Sequence, residues 1–110
     1  MTTFDDRERA YENKLVHDEE LKFKATVRRN RWLGLWAAAK LGKSGAAADD
    51  YAAEIVAAEI DGNDAVFRKL RADFNAGDVK LSDHQIRREM DELLARASQE
   101  VVTVALGSKP

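Results

Sequence analysis

A chain of 110 residues, 45% apolar and 35% charged with a net charge of −2, holds one domain with a modest core, burying roughly two thirds of the unfolded chain's surface. Its near-neutral charge provides no strong field to draw the whole molecule to nucleic acid. The absence of cysteine excludes disulfides and thiolate metal sites, and His17 and His84 stand too far apart for a local metal motif, so neither metal nor cofactor is expected.

The first forty residues change character twice. Met1 to Glu20 is acidic and helix-prone with few apolar residues, Leu21 to Arg31 is basic without an acid, and Trp32 to Leu41 is apolar and followed by Gly42. Within the first block Phe4, Tyr11 and Leu15 recur at spacings of seven and four, which places them within roughly 40° of one another on a helix. Asp5, Asp6, Arg7, Glu8, Arg9, Glu12 and Lys14 surround this thin stripe. A single narrow face buries too little to order a short helix in water. The segment therefore reads as a flexible, partly helical arm over residues 1–19, a helix-in-groove ligand whose stripe inserts into another protein. The alternative is that the stripe docks on the protein's own bundle as a fifth element. His17 stands beside three acids at the junction, an exposed hinge position where an imidazole titrates near neutral pH.

From about Glu20 to Leu41 the pattern predicts a long helix burying Leu21, Ala25, Trp32, Leu35, Trp36 and Ala39, with Gly42 as its stop. Ser44 and Gly45 open an alanine-rich helix with Tyr51, Ile55 and Ala58 in one apolar row and Ala52, Val56 and Ile60 in the next, ended by Asp61-Gly62. Its small side chains let neighbouring helices come close. Asn63 or Asp64 can cap a third helix with Val66, Phe67, Leu70 and Phe74 on one face and Gly77 as a left-handed stop. Ser82 and Gln85 form a capping box for the last helix, about Asp83 to Val104, whose stripe is Ile86, Met90, Leu93, Ala97, Val101 and Val104. Short connections favour antiparallel neighbours. The expected fold is all-α: a four-helix bundle over residues 20–106 behind the arm, with a frayed tail at 107–110.

No Gly-rich phosphate loop, nucleophile motif or paired-histidine zinc motif appears, so no catalytic residue is assigned and the protein is read as a non-enzyme. No apolar run approaches the ~20 residues of a membrane span, and the N-terminus lacks a secretory signal, so the expected location is the cytoplasm without membrane insertion. Lys22, Lys24, Arg28, Arg29 and Arg31 form a basic run that could meet phosphates, although such runs are more often solvated helix faces. Arg87 and Arg88 beside His84 carry the same two readings.

The segments Phe4-Asp5-Asp6-Arg7-Glu8-Arg9-Ala10-Tyr11-Glu12-Asn13-Lys14, His17-Asp18-Glu19-Glu20-Leu21-Lys22-Phe23-Lys24-Ala25-Thr26, Arg28-Arg29-Asn30-Arg31, Leu33-Gly34-Leu35-Trp36-Ala37-Ala38 and His84-Gln85-Ile86-Arg87-Arg88 closely resemble the ATPase inhibitor zeta subunit of α-proteobacteria. Essentially the whole chain takes part, and the N-terminal third is the most specific. The resemblance implies a four-helix protein that binds the catalytic head of the F-type ATP synthase, meeting its alpha, beta and gamma subunits, and blocks ATP hydrolysis. In that family the N-terminal segment is the inhibitory element, wedging a helix into a catalytic interface beside the rotating shaft as the mitochondrial inhibitory factor does. Tyr11 stands where many relatives have Phe, which keeps the aromatic character. Carried onto this chain, the partner-binding residues are Phe4, Asp5, Arg7, Glu8, Arg9, Tyr11, Glu12, Lys14 and Leu15, and the expected location when bound is the cytoplasmic face of the inner membrane. A monomer is expected when free, with no nucleic acid partner. The other reading is a small helical nucleotide- or nucleic-acid-binding regulator that uses the basic run.

Overall fold

The computed structural model describes residues 18–107. They form four α-helices, α1 (Glu19–Lys40), α2 (Gly45–Ala58), α3 (Ala65–Ala76) and α4 (Asp83–Gly107), with a 3₁₀ turn at Glu59–Asp61 and no strand among the described residues. The arm stripe and residues 108–110 lie outside this description.

Each helix end has an identifiable cause. The Asp18 carboxylate accepts from the Leu21 backbone N–H at 3.1 Å, with Glu19 and Glu20 favourably placed in the first turn of α1. At its other end Gly42, at φ +78°, closes a Schellman motif in which Lys43 N–H donates to Ala38 C=O at 2.8 Å and Gly42 N–H to Ala39 C=O at 3.1 Å. The capping box of α4 is reciprocal: Gln85 N–H donates to Ser82 Oγ at 3.1 Å and Ser82 N–H to Gln85 Oε1 at 2.8 Å.

α3 ends differently from expectation. Gly77 sits at φ −89°, and the left-handed residue is Asp78 at φ +58°, with Val79 N–H donating to Phe74 C=O at 2.8 Å. A short polar side chain tolerates that conformation. Gly77, one residue earlier, is closely neighboured: a Cβ there would lie 2.8 Å from Leu41 Cδ2, which would have to turn aside. At the start of α3, Asp64 is left-handed and makes no side-chain cap; its carboxylate turns to α4 instead.

Cross-helix contacts make every consecutive pair antiparallel. Gly34 meets Ala52 while Asn30 meets Glu59; Tyr51 meets Asp73 while Glu54 meets Lys69; Arg71 meets Asp83 while Asp64 meets Arg87. α4 returns along α1, joined by Arg28–Glu100. This is the expected four-helix bundle.

The core has two parts. Leu33, Ala37, Tyr51, Ile55, Leu70, Phe74, Ile86 and Met90 belong to the larger one, which all four helices build. Leu21 and Ala25 with Ala97, Val101 and Val102 form a smaller one between the first half of α1 and the second half of α4. Trp32 packs against both. α1 therefore turns different sides inward along its length, and its buried residues are Leu21, Ala25, Asn30, Leu33, Gly34, Ala37 and Ala38. Trp32, Leu35 and Trp36 are only half-buried and Ala39 is exposed, contrary to the single stripe expected. Ile60 and Val104 are also exposed, at 89% and 58%, because the first lies on the 3₁₀ turn and the second is replaced inward by Val102.

Trp36 meets Phe74 edge-on, with ring centroids 5.8 Å apart. Trp36 is only partly buried, so Trp36→Ala should cost less than the ~3–5 kcal/mol typical of a fully buried aromatic. Denaturant unfolding checks this: a loss at the full value would mean that Trp36 holds the bundle closed.

Candidate partner-binding surface

The basic run of α1 does not make one face. At 3.6 residues per turn, Lys22 and Arg29 share one side while Lys24, Arg28 and Arg31 lie about 140° away. The cations are also engaged. Lys22 pairs with Glu19 (3.3 Å), Lys24 with Glu20 (3.4 Å), Arg28 with Glu100 (2.7 Å) and Arg29 with Glu59 (3.6 Å). Among the described residues, Arg31 makes no such pair.

Arg29 belongs to a buried polar link. Its Nε donates to Asn30 Oδ1 at 2.6 Å, and Asn30 Nδ2 donates to Glu59 Oε1 at 2.8 Å, so the fully buried Asn30 is satisfied and ties α1 to the end of α2. Burial pushes the Arg29 guanidinium below its ordinary value, against the attraction of Glu59 and Asp91. Nothing local in the sequence marks Asn30, because its partner is twenty-nine residues away.

The second polar cluster joins α3 to α4. Both terminal nitrogens of Arg87 donate to the two oxygens of the Asp64 carboxylate, while its guanidinium lies 3.8 Å from the centre of the Phe67 ring. Arg88 pairs with Glu92 at 3.5 Å. The hydrogen bond from Arg87 holds the Asp64 carboxyl below the usual carboxylate range. A depressed carboxylate contributes stability that is present above its unfolded value, near 3.8, and is lost as pH falls through the lower folded value. Wild type should therefore be more stable than Arg87→Met at pH 6, and the gap should close towards pH 2 in acid-unfolding scans. A gap independent of pH would assign the effect to stacking on Phe67 alone.

A third cluster is structural. Tyr51 is buried and donates its hydroxyl to Asp73 Oδ2 at 2.7 Å, and burial followed by that bond pushes its phenol well above the usual range. Lys69 lies between Glu54 and Asp73, at 3.1 Å from each. Burial opposes its charge, but the two carboxylates outweigh this and raise its pKa.

A recess of about 520 Å³ is lined by Arg71, Phe74, Lys80, Leu81 and Gln85, and Arg71 is already held by Leu81 C=O, Asn75 and Asp83. Among the described residues no cluster of His, Asp or Glu is arranged to hold a metal, and no helix is long and apolar enough to cross a membrane. The nine partner-binding residues from Phe4 to Leu15 lie outside the described residues, which begin at the Asp18 cap.

Residues 1–100 match the model of a family described as ATPase inhibitor subunit zeta. The chain belongs to that family. A protein solved in solution by NMR is similar to it, with a TM-score of 0.65 and 37% identity over 74% of this chain and 95% of that one. No curated protein matches the chain. Membership of the zeta family marks a regulatory inhibitor subunit and implies association with ATP synthase.

Proposed function

We propose that this zeta-family chain inhibits ATP hydrolysis by the catalytic head of the F-type ATP synthase through insertion of its N-terminal segment into a catalytic interface. Residues 1–19 act as the arm, residues 20–106 as the anchor and residues 107–110 as a tail. The observation that carries the reading is the family match, which runs through the arm as well as the bundle. The bundle supports it by contrast: four of the five cations of its basic run are tied to acids of the same chain, so α1 offers no row of free guanidinium groups to phosphate.

The mechanism needs no chemistry from the inhibitor. A helix that fits one rotational state of the head better than the others shifts the population towards that state and stops turnover. Phe4, Tyr11 and Leu15 supply the apolar anchors. Asp5, Arg7, Glu8, Arg9, Glu12 and Lys14 set register and partner, since charges around an apolar stripe decide orientation more than affinity. The site of action is the cytoplasmic face of the inner membrane, and the partners are the alpha, beta and gamma subunits.

Capture from solubilised membranes of a related bacterium, with the bound chains identified, tests the partner. The expected result is retention of the three head subunits, nearly unchanged between low and moderate salt. Retention of nucleic acid or nucleotide that falls steeply with salt would support the regulator reading instead.

A further inference from the structure

On the first half of α1 the side facing away from α4 carries the exposed Phe23 and, among the described residues, only the end of α2 is shown to reach it. Glu59 reaches Asn30 from the end of α2, and beyond that point α2 has ended. Phe23 lies two turns before Asn30 on the same side, about 10 Å along the axis, and is 69% exposed. Val27, between them, is half-buried, and Ile60, next to Glu59 on the 3₁₀ turn, is 89% exposed. Phe23 and Val27 thus share one side of α1, and Ile60 follows Glu59 where α2 ends; we refer to these three apolar residues as the shelf.

We propose that in the free protein this shelf is the docking site of the chain's own residues 1–17, seated by Tyr11 and Leu15. The argument is the place where that segment joins. It enters at Asp18, whose backbone is extended at φ −128° and ψ 100° and starts a new helix, so the preceding chain leaves the axis of α1 only five residues before Phe23. A segment that turns back there runs antiparallel beside α1, with Leu15 level with Phe23 and Tyr11 level with Val27. The four-residue spacing of one pair matches that of the other. Two or three anchors are too few for a free peptide, but a short tether supplies an effective concentration of about millimolar. The same stripe then faces either its own bundle or the partner, so the shelf holds the inhibitory anchors in reserve.

The chain has no cysteine, so Ala10→Cys carries a single nitroxide beside the stripe. NMR of the full-length labelled protein should show the amide signals of Phe23, Val27 and Ile60 losing more than half their intensity relative to the reduced label, with Leu94 on α4 unaffected. Phe23→Ser on the same background should restore the Ile60 signal, with an unchanged melting midpoint because Phe23 is exposed. Broadening confined to residues 18–22, or broadening at Ile60 that survives Phe23→Ser, would overturn the proposal. Broadening in a mixture of spin-labelled and isotope-labelled molecules would overturn it in favour of a second copy on the shelf. These readouts do not involve the synthase and stand apart from the insertion reading. Where both hold, Phe23→Ser inhibits hydrolysis at a severalfold lower concentration than wild type.

Discussion

Removing residues 1–17 is expected to abolish inhibition of ATP hydrolysis while the bundle stays folded, and Tyr11→Ala is expected to weaken inhibition about thirtyfold. The second figure follows from the usual loss of ~2 kcal/mol when a central aromatic anchor is truncated. Asp18 must be retained in the deletion, because its carboxylate holds the Leu21 N–H and losing such a cap costs ~1 kcal/mol. Both parts of the described core begin at Leu21 or later, so the bundle should still unfold cooperatively after either change. Titration of the isolated catalytic head with wild type, the Tyr11→Ala variant and the deleted form decides the matter. Equal inhibition by all three would place the active surface on the bundle and end the arm reading.

The four helices, their order and three of their end signals were legible in the sequence. Ser82 and Gln85, Gly42 and the Asp61-Gly62 break act through residues one to four positions away, a range over which sequence carries the geometry. The inward side of α1 was not legible. Leu21 and Ala25 pack with α4, Gly34 meets α2, and Leu33 and Ala37 join the core that all four helices build, so no single stripe runs through the helix. A search for one stripe then favours the largest apolar residues, and it chose Trp32, Leu35 and Trp36 over the small residues that meet another backbone.

The pairing of the basic run was only partly legible, for a related reason. Two of its acids, Glu20 and Glu19, are local, but Glu59 and Glu100 arrive only with the tertiary fold. The same holds for Asp78, which was passed over because Gly77 is the commoner left-handed residue. Gly77 lies against Leu41, a neighbour thirty-six positions earlier in the chain. The arm is the opposite case: its stripe and its family resemblance are sequence signals, and Asp18 marks where they meet the fold.

Gly34→Ala is expected to destabilise the bundle, although helix propensity alone predicts the reverse. In the middle of an exposed helix that change gains about 1 kcal/mol. Here a Cβ at position 34 would lie 2.6 Å from the Ala52 Cα and 3.2 Å from both Ala52 Cβ and Ile55 Cγ1. The first of these atoms is backbone, so no rotamer change relieves it and α1 and α2 must move apart. Overpacking of this kind typically costs ~1–3 kcal/mol, and each kcal/mol lowers the melting midpoint by about 4–8 °C in a domain of this size. Separation would also stretch the Asn30–Glu59 bond on the same helix pair, leaving a fully buried amide short of a partner. Gly34→Leu should abolish cooperative unfolding altogether, because its branched side chain cannot fit between two backbones. Ala53→Gly, on the exposed side of α2, calibrates the propensity effect alone and should lower stability by about 1 kcal/mol. A higher melting midpoint for Gly34→Ala than for wild type would show that the two helices separate at little cost, and that the glycine does not set their closeness.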